Sequence, residues 1–139
     1  MVKEFDTEFR LAFHSYWTVA GHHIRKQIDD DKTVLKLLRS VLPKYAGPCL
    51  VLFRGENLDR WNQQAVGFCW SPNLAVETMF GRGLNSIGSG GVLLKCNAAL
   101  EAIIAGPGSH STYLQENEYT LDPTKVSKIE LLEQFPSAF

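Results

Sequence analysis

Apolar spacing divides the chain into a helical first third and a β-rich remainder. Phe5, Phe9, Ala12, Phe13, Tyr16, Trp17 and Ala20 recur at steps of three and four, the pattern of one apolar helix face. Gly21 is the expected stop. A second helix fits Lys32 to Leu42. Asp30 or Asp31 can cap its start, Pro43 prevents its continuation, and Val34, Leu35, Leu38 and Leu42 form its buried stripe. His22 and His23 fall near the end of the first helix. Adjacent helical positions do not share a face, so a solvated turn fits this pair better than a metal site.

Shorter apolar runs follow. CLVLFR (49–54), VGFCW (66–70) and GVLLKC (91–96) read as strands. Ser71-Pro72 reads as a helix start, with serine as N-cap and proline at the first helical position, opening a short helix over Asn73 to Phe80. GRGLNSIGSGG (81–91) is expected to be a flexible loop without regular structure. Leu100 to Ala105 fits a short helix and then a strand, or one bent strand. A second loop, GPGSHSTYLQ (106–115), leads to two final strands, ENEYTL (116–121) and VSKIELLEQF (126–135). Helices first and strands afterwards predict an α+β domain, with a helical part over 1–48 and a β-rich core over 49–139.

A chain of 139 residues has room for one domain. Its 45% apolar and 21% charged content is too apolar for disorder and sufficient for a core without disulfides or metal. A net charge of −1 excludes a strongly basic protein that coats nucleic acid. No apolar run reaches the length of a membrane span, and the densely charged first ten residues do not read as a secretory signal. Cys49, Cys69 and Cys96 are odd in number and form no CxxC pair, which argues against a disulfide framework or a zinc ribbon. Each lies in or beside an apolar run, so small buried thiols of a reduced, intracellular protein are expected.

Candidate chemistry enters with ENEY. On a strand, Glu116 and Glu118 point to the same face. They fit either a solvated edge that discourages aggregation or a carboxylate pair whose proton affinities differ, as acid–base or cation-stabilising chemistry needs. Arg54, at the end of an apolar strand and followed by Gly55, can aim its planar fork at a phosphate or carboxylate, with glycine allowing close approach of a ligand. The plainer alternative is an arginine at a sheet edge paired with Glu56 or Asp59. Ser71 is explained by capping alone.

The order of these pieces adds to each. FRGE, then GFCWSPNLAVETMF, then a glycine-rich loop and a strand, then ENEY, resembles the mono-ADP-ribosyltransferase family. The likeness is to the clade named for arginine, serine and glutamate, which includes cholera-type toxins and phage transferases. It covers roughly residues 48–132, with Arg54, Ser71 and Glu116-x-Glu118 on the motif positions. Trp70-Ser71-Pro72 departs from that pattern by lacking the full serine/threonine triplet.

The resemblance implies N-terminal helices packed on a split β-sandwich and NAD as co-substrate, with no metal. It implies that Arg54 holds a phosphate or the adjoining ribose, and that the Gly55 backbone bonds the nicotinamide amide. Glu118 would stabilise the developing oxocarbenium-like charge, Glu116 would prepare the acceptor, and Ser71 would brace Glu118 or the ribose. The 81–91 loop would close over the ligand, with Phe80 stacking and Arg82 as a second phosphate contact. The 106–115 loop would face the acceptor through Tyr113. An E-x-E pair goes with a protein arginine as acceptor, RNA or DNA being the runner-up. A cytoplasmic location in the producing or target cell, no membrane contact, and a cognate inhibitor or antitoxin protein are in keeping with such a small transferase. Other readings are an NAD glycohydrolase, a Cys69–His110 hydrolase, whose thiol burial would suppress, and a catalytically silent partner-binding member of the fold.

Overall fold

The apolar runs CLVLFR and GVLLKC are realised as paired strands in the computed structural model, which describes residues 6–108 and 117–137. Two helices come first, α1 (Thr7–Ile28) and α2 (Asp31–Val41). They are followed by β1 (Leu50–Asn57), the short α3 (Leu58–Asn62), β2 (Cys69–Trp70), α4 (Leu74–Arg82), β3 (Gly91–Ala98), β4 (Ile103–Ala105), β5 (Tyr119–Leu121) and β6 (Ile129–Phe135). The strands form two antiparallel three-stranded sheets, ordered β1-β3-β6 and β2-β5-β4. The domain is mixed helix and sheet, as expected. Among the described residues no helix is long and apolar enough to cross a membrane.

Two apolar clusters explain the layering. Leu52, Val92, Leu94 and Cys96 from the first sheet meet Trp70, Ile103 and Leu121 from the second. The other side of the second sheet, through Phe68, Ile104 and Ala105, is covered by Trp17, Val34, Leu35, Leu38 and Leu42 of the N-terminal helices. α4 lies on the far side of the first sheet. A Cβ on Gly55 or Gly91 would run into its backbone at Glu77 and Gly81. The order of layers is therefore helices, sheet, sheet, helix.

α1 departs from its expected form in two ways. It continues through Gly21 to Ile28 and ends at Asp29, which has a left-handed φ of 54°. Gly21 is an interior position because the Trp17 ring lies over it, 2.9 Å from where a Cβ would stand. The helical dihedrals lapse instead at Ala20. The buried face is also rotated. His14, Trp17 and Gly21 face inward, with Phe13, Ile24 and Ile28 beside them, while Phe9, Ala12 and Tyr16 are exposed. Polar-tipped side chains displace purely apolar ones here because they find partners. The Trp17 indole donates to Thr120 Oγ1 at 3.1 Å, and Arg25 lies 4.0 Å over the Phe68 ring. His22 and His23 are exposed helical residues, not part of a turn, with ring centroids 3.9 Å apart. Phe5 lies outside the described residues.

Two further expectations are corrected. The cap of α4 is Asn73, whose Oδ1 accepts from Val76 N at 3.2 Å. Ser71 is two residues too early because its backbone is already paired with Phe53, and its Oγ accepts from Asn73 N at 3.0 Å. The 81–91 segment has regular structure in part: α4 extends to Arg82, and a 3₁₀ turn covers Leu84–Ser86. It is fastened by Asn57 Nδ2, which donates to the carbonyls of Asn85 (3.1 Å) and Ile87 (2.9 Å).

A candidate active-site cleft

Along β1 the face that carries Leu52 changes character. Leu52 is in the core, but the next two side chains on that face are Arg54 and Glu56. They open onto a cleft of about 880 Å³. One wall is the second half of α1, with Trp17, Gly21, His22, Arg25 and Lys26; the other holds Asn57, Arg60, Gly67, Phe68, Cys69, Asn85 and Glu118. Arg25 closes one end. It makes a two-pronged pair with Asp31, both contacts 2.8 Å, and donates to the Val66 carbonyl at 2.9 Å. That pairing holds the Asp31 carboxyl below its usual range.

Arg54 is held on two sides. Its Nε donates to Glu56 Oε2 at 2.7 Å and its Nη1 to the Cys69 carbonyl at 2.8 Å. Burial works against its charge, but the adjacent Glu56 carboxylate outweighs burial and raises its pKa. Glu56 is 2% exposed in its side chain. Besides Arg54, it accepts from Gly67 N (2.7 Å) and Asn57 N (2.9 Å), with Arg60 Nε at 3.8 Å. Burial alone would raise its pKa; Arg54 and the two backbone donors bring it below the ordinary carboxylate value. The pairing of Arg54 with Glu56 was the plainer of the two sequence readings, and it is present inside a cleft.

The three motif residues come from neighbouring strands. Phe53 and Ser71 exchange backbone hydrogen bonds of 2.7 and 2.9 Å, which joins β1 to the end of β2. β2 pairs with β5 through Cys69↔Thr120 and Trp70↔Tyr119. Continuing that register sets Ser71 beside Glu118. Arg54 and Glu118 both line the cleft, whereas Ser71 is fully buried behind it. Asn117 has a left-handed φ of 49°, so the regular strand begins only after it. Glu116, Tyr113 and His110 lie outside the described residues.

The remaining expected residues are elsewhere. Side chains alternate along β1, so Gly55 faces away from Arg54 and towards α4. The close approach that Gly55 permits is that of α4 itself, whose backbone at Glu77 and Gly81 occupies the space. Its N–H donates to Glu77 Oε1 at 3.1 Å, and its carbonyl accepts from Asn85 Nδ2 at 2.6 Å. Phe80 and Arg82 belong to α4 and do not line the cleft. Arg82 lies 5.3 Å over the Phe135 ring.

The cysteines are all free. Cys49 is exposed, contrary to expectation, while Cys96 is buried and its thiol pushed up to about 12. Burial raises the Cys69 thiol further, with the Glu118 charge adding to it, which disfavours Cys69 as a nucleophile. Among the described residues no group of histidine, cysteine or carboxylate side chains could hold a metal ion.

Sequence reasoning missed Glu56 as more than a partner, and it missed Gly67, Arg60, Arg25 and Asn85. The first carried a signal: a glutamate two residues after Arg54 on a strand shares its face. The others arrive through chain reversals that no local pattern encodes. No family model, curated protein or solved structure matches the chain.

Proposed function

We propose that the chain is an NAD-dependent mono-ADP-ribosyltransferase that moves ADP-ribose from NAD to an acceptor and releases nicotinamide. The observation that carries this reading is strand adjacency. Arg54 on β1, Ser71 at the end of β2 and Glu118 entering β5 lie on successive neighbours, and the first and last share a cleft. Two sheets facing across one core, with helices outside, are compatible with the split β-sandwich of that family. In this reading Arg54 binds a phosphate or the adjoining ribose of NAD. Glu118 sits where negative charge stabilises the ribose cation that develops as the bond to nicotinamide breaks, the bonding electrons leaving with the nicotinamide nitrogen. The acceptor then bonds to the sugar carbon and gives up its proton, the step assigned to Glu116. Ser71 braces the strand behind Glu118.

A protein arginine is the favoured acceptor, since a guanidinium must be deprotonated to react and two carboxylates can both attract it and take the proton. A second reading, a nucleotide- or partner-binding protein without catalysis, has one observation in its favour. Both backbone groups of Gly55 are held by Glu77 and Asn85, and a nicotinamide amide would have to displace them. Incubation with labelled NAD and cell lysate separates these readings. Transfer of label to material sensitive to protease supports the proposal. Label released by nuclease instead moves the acceptor to nucleic acid, and absence of both transfer and nicotinamide release refutes the enzyme.

A further inference from the structure

Arg54 is gripped from one side and given room on the other. Glu56 Oε2 lies 2.7 Å from both Arg54 Nε and Gly67 N, so a single carboxylate oxygen ties the guanidinium to the chain entering β2. Arg54 Nη1 is bonded to the Cys69 carbonyl in the same stretch. Nη2 makes no hydrogen bond among the described residues, and it lies against Gly67. A Cβ on Gly67 would clash with Nη2 and Cζ of Arg54. Gly67 does not have a left-handed φ, so backbone strain does not account for a glycine there. Occupation of that space by the guanidinium does. Glu56 is nearly inaccessible, which keeps it from contacting a ligand itself.

We propose that Glu56 and Gly67 are positioning residues that hold the Arg54 guanidinium in one orientation, with Nη2 left to bind an anionic or hydroxyl-bearing part of the ligand. This rests on the reading of the ligand as NAD. A planar fork with two of its nitrogens fixed loses little freedom on binding, and misplacement of the third weakens the contact without removing the charge. The two residues act from different sides. Glu56 supplies the hydrogen bond and Gly67 supplies the space.

Gly67→Ala is the sharper test because its new methyl group meets the tip of a flexible side chain, which can swing away while the fold persists. Glu56→Gln removes the charge and serves as the second variant. Three quantities are measured: NAD affinity by calorimetry, KM and kcat for nicotinamide release, and solvent exchange of the Arg54 Nε–H by nitrogen-15 NMR. Gly67→Ala is expected to keep a cooperative unfolding transition, destabilised no more than Arg54→Ala, to weaken NAD binding and raise KM about tenfold, and to leave kcat nearly unchanged. In an Arg54→Lys background the same change should add little, because the group it displaces is gone. The Nε–H should exchange faster in both single variants. Wild-type KM in Gly67→Ala, or an undiminished effect in the Arg54→Lys background, would overturn the proposal. If wild type binds no NAD, the enzyme reading fails and the exchange rate alone decides the positioning role. Faster exchange in both variants upholds it, and unchanged exchange removes it.

Discussion

Arg54 and Gly55 are neighbours in the chain, yet they look into different parts of the molecule. Arg54, on the inward face of β1, sits among Glu56, Arg60 and Glu118 at a cleft. Gly55, on the outward face, is sealed under α4 with its polar groups taken by Glu77 and Asn85. The first face keeps open space and charge; the second is packed backbone against backbone. The family resemblance implied that Phe80 and Arg82 would join the same site. The two-residue period of a strand decides otherwise, because α4 packs on the face that Arg54 does not use.

Loss of the inward arginine should act most strongly on stability. Arg54→Ala leaves the buried Glu56 carboxylate without its main partner, which typically costs about 3–5 kcal/mol. Arg82→Ala removes an exposed contact with the Phe135 ring, worth about 0.5–1 kcal/mol. Urea unfolding of both variants checks the contrast. Equal losses would mean that the two arginines are equivalent surface groups.

Gly55→Ala tests the outward face by itself. Its Cβ has nowhere to go but into the backbone of α4, and overpacking of this kind costs about 1–3 kcal/mol. A shifted urea midpoint with an unchanged slope is expected. An unchanged midpoint would mean that α4 stands off β1 and that Gly55 is open to a ligand.

A smaller and reversible effect comes from acid. The Glu56 carboxyl lies below its ordinary value of 4.5 in the folded protein. A group depressed on folding contributes stability that is complete above the unfolded value and is lost as pH falls through the folded one. Wild type should therefore lose this contribution progressively below pH 4.5, and Glu56→Gln should show a flatter stability profile over the same window. Parallel profiles would mean that Glu56 is not charged in the folded state.

Local pattern and long-range packing divide what the sequence disclosed. The strands of CLVLFR and GVLLKC were legible as short apolar runs, and the second is buried on both faces at Val92, Leu93 and Leu94. The rotation of α1 was not, because Trp17 and Arg25 bury through partners, Thr120 and Phe68, that are far away in sequence. Ser71 was misread as a cap because its pairing with Phe53 depends on β1 folding beside it. Residue type and order singled out Arg54 and Glu118, and both line the cleft. The grip on Arg54 was not, since Gly67 reaches it only when the segment after α3 turns back beneath the guanidinium.

In the transferase reading, Glu118, facing the same cleft as Arg54, drives cleavage of NAD. Nicotinamide release from NAD by wild type and by Glu118→Gln tests it most directly, with thermal unfolding of both as a control. Measurable release by wild type, a drop of about a hundredfold or more in the variant, and little change in unfolding temperature are expected. Release by Glu118→Gln at the wild-type rate would contradict it.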